Sequence, residues 1–170
     1  MKKLKFCFST TQLVMSKAIR KAQDLDISHA YMEWHDERYD ETLVYEARGL
    51  DTHLINREQF DKHIEVMYEF EVEVEEEFFV HIMKYVYNDI GTAYGWGELL
   101  GFLVKKLASM IGMKIKNPYP SKNKVCSEAI GDIMCIFLGI DADVDSDDMD
   151  LIWALKKCKE HPQFKMIKGK

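Results

Sequence analysis

The chain has 170 residues, 47% of them apolar and 31% charged, so it can bury a core without disulfides or metals and reads as a single domain over 1–170. Twenty-nine acidic residues against 23 basic ones give a net charge of −6, which disfavours nucleic acid as a partner, because phosphate binding needs Lys and Arg to displace counterions. No apolar stretch reaches the length of a membrane span, and no transmembrane segment is expected.

The first residues, Met1-Lys2-Lys3-Leu4-Lys5-Phe6-Cys7-Phe8, place two lysines ahead of apolar residues, as a secretory signal does. Lys5 interrupts the run and Ser9, Thr10, Thr11 and Gln12 end it, so the apolar centre of a signal does not form. Cys7 lacks the small preceding residues of a lipidated cysteine. A cytoplasmic protein is therefore expected, with Cys7, Cys126, Cys135 and Cys158 reduced. None of the four forms a C-x-x-C pair, so neither zinc nor a redox dithiol is indicated.

Residues 3–8 are predicted as a first strand. Thr10 or Thr11 caps a helix to about residue 23, with Leu13, Val14, Ala18, Ile19 and Ala22 along one side. Strands at 28–34 and 42–47 flank a polar connection, Gly49 ends the second, and the two should pair as an antiparallel hairpin. Residues 64–74 alternate, with Val66, Tyr68, Phe70, Val72 and Val74 on one face and Glu69, Glu71 and Glu73 on the other, as a half-buried strand does. The acidic run is its solvated face. Residues 75–88 switch to helical spacing, and the glycine-rich stretch 91–97 is a turn. A helix at 98–110, a loop marked by Pro118 and Pro120, and helices at 125–138 and 146–157 complete the chain. Asp145 or Ser146 is expected to cap the last helix. Strands and helices in segregated order point to an α+β fold, an antiparallel sheet packed against helices.

Several motifs are excluded. The run from Asp141 to Asp148 resembles a calcium loop but has Ser146 where Gly is needed and Ile152 where a bidentate Glu is needed. The six histidines lack metal-ligand spacing, and neither a phosphate-binding glycine loop nor a G-x-S-x-G elbow occurs.

Cys126 falls at the expected first turn of a helix, where partial positive charge and unpaired N–H groups activate a thiol and hold an oxyanion. The same residue also continues an apolar stripe with Ile130, Ile133 and Phe137, as a small core residue would. Centring the hairpin turn between Glu37 and Arg38 pairs Trp34 with Glu41, Tyr31 with Val44, and His29 with Glu46. That is either a base with its orienting carboxylate or a surface ion pair.

Four stretches taken together resemble a known family: Ser28-His29-Ala30-Tyr31-Met32, Val44-Tyr45-Glu46-Ala47-Arg48-Gly49, Gly91-Thr92-Ala93-Tyr94-Gly95-Trp96 and Val125-Cys126-Ser127-Glu128. Their order and spacing are similar to the circularly permuted, YiiX/YaeF-like branch of the NlpC-type papain-like superfamily, to which lecithin:retinol acyltransferases are related. The resemblance implies a permuted papain-like fold and a cysteine hydrolase acting through an acyl-enzyme. It implies Cys126 as nucleophile, His29 as base and then acid, and Glu46 as orienter. Should the hairpin register set Glu46 and His29 on opposite sheet faces, His53, which also follows the hairpin, is the substitute. The Cys126 N–H and the Tyr94 hydroxyl would hold the oxyanion, and the other cysteines would be structural. The substrate would be peptide-like or an acyl ester, with no metal or organic cofactor. An acyltransferase of the same fold and a binding module without turnover are the alternatives. Ala30 and Tyr31 stand where the branch usually has Val-Gly, and Gly95 where it often has Asp, departures that bear on substrate preference.

Overall fold

A computed structural model describes residues 1–60, 63–116, 118 and 123–169, with the backbone alone at 22, 98, 103 and 147. Six strands form one sheet: β1 (Lys2–Thr10), β2 (His29–Asp36), β3 (Glu41–Arg48), β4 (Asp51–Asn56), β5 (Glu65–Val74) and β6 (Lys165–Lys168). They lie in the order β4-β3-β2-β1-β5-β6, each pair antiparallel. The helices are α1 (Val14–Gln23), α2 (Glu76–Asp89), α3 (Trp96–Met110), α4 (Cys126–Ile136) and α5 (Leu151–Glu160). The α+β class and the antiparallel sheet are as expected from the sequence.

Alternation along the strands separates two apolar layers. Leu4, Phe6 and Phe8 of β1, Ala30, Met32 and Trp34 of β2, and Tyr45 and Ala47 of β3 face a large core closed by Ala129, Ile130, Ile133 and Met134 of α4. Cys7, Tyr31, Val44 and Phe60 form a smaller cluster on the other face. At Gly131 an added Cβ would come within 2.9 Å of the Met149 sulfur and 3.2 Å of the Trp153 ring, so the missing side chain lets α5 pack close to α4.

The structure corrects several local expectations. The β2–β3 turn is centred between Arg38 and Tyr39, so Trp34 pairs with Leu43 and Asp36 with Glu41. Four residues span this turn, held by Asp36, whose carboxylate accepts from the Arg38 N–H at 3.0 Å. β4 was unforeseen. Gly49 does not end the sheet but begins a two-residue turn with Leu50, at a φ of 75° that suits Gly in that position. β6 was also unforeseen, because it is short and exposed and pairs only along β5. In α1 the buried side is Ser16, Ile19 and Gln23, whereas Leu13 and Val14 face outward. No threonine caps that helix; Ser16 instead donates to the Thr11 carbonyl. The last helix begins later than expected, and Asp150 caps it by accepting from the Trp153 N–H at 2.8 Å. Residues 146–148 form a separate 3-10 turn. Pro118 precedes α4 as expected, and Pro120 lies outside the described residues.

One buried polar cluster fixes where α4 starts. Lys124 Nζ lies 2.7 Å from Asp89 at the end of α2 and 2.7 Å from Asp132 on α4 itself. Tyr45 donates to Asp89 at 2.6 Å and Tyr85 to Asp132 at 2.6 Å. A cation between two largely buried carboxylates holds the residue next but one to Cys126 against both helices. Lys124→Met would leave Asp89 buried without its cation, and we expect a loss of about 3 kcal/mol or more in urea unfolding. An unchanged midpoint would show that the cluster adds no stability.

Candidate active site

His29 is the first residue of β2, at the end of the sheet where β1 and β3 also terminate. With Trp34 opposite Leu43, continuing the register sets Tyr31, not His29, across from Glu46. The correction is a shift of two residues, and two is the side-chain period of a strand. His29 and Glu46 therefore stay on one face as diagonal neighbours, within reach of long side chains. The His29 Nε2 to Glu46 Oε2 distance is 2.5 Å.

Glu46 is 2% exposed. Its second oxygen lies 3.1 Å from Nε2 of His53, which β4 sets directly opposite it. His53 Nδ1 is in turn 3.4 Å from Asp51. The substitute and the preferred orienter thus prove to be partners. Sequence reasoning did not foresee this because it did not recognise the Gly49-Leu50 turn, whose Gly-first pattern is the available signal.

Cys126 begins α4 and is 6% exposed. Its thiol lies near enough to the His29 imidazole to bear on that ring's protonation. Burial works against a charged imidazole here. The influence of Cys126 and Glu46, including the negative charge on both, overrides it and raises His29 from 6.5 to about 9. For Glu46, burial is again the opposing influence, and the hydrogen bond and charge of His29, with Arg48 and His53, hold it below the usual carboxylate range. Burial pushes Cys7 and Cys158 well up and Cys135 up to about 11.

Tyr94 stands beside this group. Burial first, then the negative charges of Cys126, Glu128 and Glu46, push its phenol far above its ordinary value, so it keeps its proton as a donor. Main-chain hydrogen bonds fix it. The Tyr94 N–H donates to the Leu50 carbonyl at 2.7 Å, the Lys124 N–H to Ala93 at 3.1 Å, and the Gly95 N–H to Lys124 at 2.9 Å. The Trp96 indole donates to the Gly49 carbonyl at 2.9 Å. The hairpin that carries Glu46 and His53 is thereby joined, strand to segment, to the backbone that presents Cys126. Glu128, three residues into the helix start, accepts from the Val125 N–H at 2.9 Å. Val125 itself offers no side-chain cap to the first turn.

A cleft of about 210 Å³ opens here, lined among others by His29, Tyr94, Trp96, Leu13 and Met15. Larger hollows of about 440 and 470 Å³ border the β2–β3 turn at the other end of the sheet, away from the cysteine. Among the described residues, no group of three or more His, Cys, Asp or Glu side chains is arranged to hold a metal ion. Both Glu46 oxygens are engaged by imidazoles.

No family model and no curated protein matches the sequence. Among solved structures, the crystal structure of metalloprotein yiiX from Escherichia coli O157:H7 is similar to this chain. The TM-score is 0.64 at 15% identity, covering 99% of this chain and 97% of that one. At this identity the likeness shows a shared, YiiX-like fold.

Proposed function

We propose that this chain is a cysteine hydrolase of the permuted papain-like, NlpC-type kind, cleaving an amide or acyl ester bond through Cys126, His29 and Glu46. The observation that carries the reading is the placement of Cys126 at the start of α4 beside His29, whose Nε2 lies 2.5 Å from the buried Glu46 carboxylate.

With His29 charged at rest, the sulfur attacks the substrate carbonyl directly, forming the S–C bond. The carbonyl oxygen takes the negative charge and is held by the Cys126 N–H and the Tyr94 hydroxyl. The His29 proton passes to the leaving nitrogen or oxygen as its bond to carbon breaks. The neutral imidazole then removes a proton from water, which attacks the thioester carbon. The acid departs, and sulfur and imidazolium are restored. Glu46 fixes the ring and stabilises its charged form.

Three measurements test this reading. At neutral pH iodoacetamide should label Cys126 selectively, because the charged His29 imidazole stands beside it, whereas Cys7, Cys135 and Cys158 keep their protons. Labelling no faster than that of an unfolded-chain thiol would contradict an activated nucleophile. Against a responsive thioester or amide, Cys126→Ala should abolish turnover and His29→Ala should cost about 10²–10⁴-fold. Glu46→Gln should leave a measurable fraction. Full turnover by folded Cys126→Ala would sink the mechanism.

The third measurement is the pH dependence of stability. His29 has a raised folded pKa, so its contribution is complete below about 6.5 and fades as pH climbs through about 9. Glu46 has a lowered one, so its contribution is present above about 4.5 and is lost as pH falls through its lowered folded value. The unfolding free-energy gap between wild type and Glu46→Gln should be widest between these limits. It should shrink as pH climbs toward about 9, by the part of the His29 shift that Glu46 rather than Cys126 supplies. A gap independent of pH would show that no ion pair forms.

A further inference from the structure

Helix α3 has two apolar sides. Leu99 and Phe102 are buried, as the inner side of a packed helix should be. Trp96, Leu100, Leu107 and Met110 recur at helical spacing along another side and are all exposed, Leu107 by 62% and Met110 by 73%. Ile111 and Met113 just beyond the helix are exposed too. Helix α1 packs beside α3 and does the same at its start, where Leu13, Val14 and Met15 face outward, Val14 by 85%. The two helix starts meet at the cleft, where Leu13, Met15 and Trp96 line one mouth. A contiguous apolar surface of this kind is uncommon on a protein that has nothing to place against it.

Charge distinguishes among possible occupants. Residues 11–23 carry three basic side chains and no acidic one, and residues 96–116 carry four basic and one acidic. These segments therefore hold +6, and since the whole chain carries −6, the remainder holds −12. Val14, Lys17, Ala18 and Lys21 form one outward stripe of α1, all exposed, so lysines flank the apolar residues directly. At the far end of α3 the surplus is smaller. Lys105 is paired with Asp148 at 2.5 Å, and Lys114 and Lys116 border a groove shared with Asp145 and Asp148. The positive surplus is thus greatest beside the cleft, on α1.

We propose that the α1–α3 face docks on an anionic phospholipid bilayer, its apolar side chains entering the headgroup boundary and Lys17 and Lys21 meeting lipid phosphate. The combination of exposed Leu, Met and Trp with flanking Lys is what an interfacial helix requires. No helix among the described residues is long and apolar enough to cross a membrane, so the contact is with the surface. A bilayer seated on this face lies at the mouth of the cleft. Binding does not depend on the hydrolase reading, and folded Cys126→Ala should bind vesicles as the wild type does.

The test is sedimentation of the full chain with sucrose-loaded vesicles of phosphatidylcholine alone and of phosphatidylcholine mixed with phosphatidylglycerol. The protein should pellet with the mixed vesicles, release as salt is raised, and stay in the supernatant with phosphatidylcholine alone. The double variant Lys17→Gln, Lys21→Gln should weaken binding about thirtyfold, on the basis of the usual contribution of each lysine near an anionic surface. Val14→Asp and Leu107→Asp, each on an exposed position away from the cleft lining, should weaken it while circular dichroism and thermal unfolding remain those of the wild type. No binding to mixed vesicles, or equal binding to both kinds, overturns the proposal. So does a dimer in light scattering that Leu107→Asp dissociates while vesicle binding is absent, since the face would then belong to a second copy of the chain.

Discussion

A carboxylate almost out of reach of water is the constraint on which this site depends. Glu46 is charged in a place where an unpaired charge would be costly, so its strand must bring cationic or hydrogen-donating partners to both oxygens. The registers of two neighbouring strands do this. β2 supplies His29 on the diagonal and β4 supplies His53 directly opposite. Of the two contacts, 2.5 Å to the largely buried His29 is closer than 3.1 Å to the half-buried His53. The low local dielectric strengthens the first more, and it is the first that reaches the thiol.

The position of Cys126 follows from the same hairpin by way of the main chain. Leu50 accepts from Tyr94, Ala93 accepts from Lys124, and Lys124 accepts from Gly95, so hairpin, tyrosine segment and helix start form one hydrogen-bonded ladder. Lys124 adds a side-chain tie to Asp89 and Asp132 on the opposite side of that ladder. The placement of the α4 start against the hairpin is thus borne by backbone and buried ion pairs, which move less than exposed loops.

What could be read in the sequence, and what could not, divides along local and non-local signals. Alternation in 64–74 and helical spacing in 75–88 are local, and both elements stand where the pattern places them. The pairing of His29 with Glu46 was legible only because face is conserved under a two-residue shift. A shift of one would have separated them. The turn centre depended on Asp36 closing a four-residue loop, which composition alone does not rank above a tighter one. β4 was hidden because a single Gly49 serves equally as a strand end or as the first residue of a two-residue turn. With β4 went His53 and the docking of 91–95 along it. Lys124 was illegible for a further reason, since its partners Asp89 and Asp132 lie on two different helices whose packing no spacing rule specifies.

Val125 breaks a local rule at the most consequential position in the chain. A Ser, Thr, Asp or Asn before Cys126 would cap α4 and add about 1 kcal/mol, but its side chain would occupy N–H groups of the first turn. Valine leaves them without a side-chain acceptor, while Glu128 reaches back to satisfy the N–H of Val125 itself. Half of a capping box is thus kept, the half that closes the helix on its outer side, and the half that would neutralise the helix's positive end is missing. The core behind α4, with Ala129, Ile130, Ile133 and Met134 all buried, absorbs the lost cap. A helix start that is stabilised from behind and carries no side-chain acceptor in front keeps its first-turn N–H groups beside the sulfur, which is the arrangement the proposed hydrolase would need for its oxyanion.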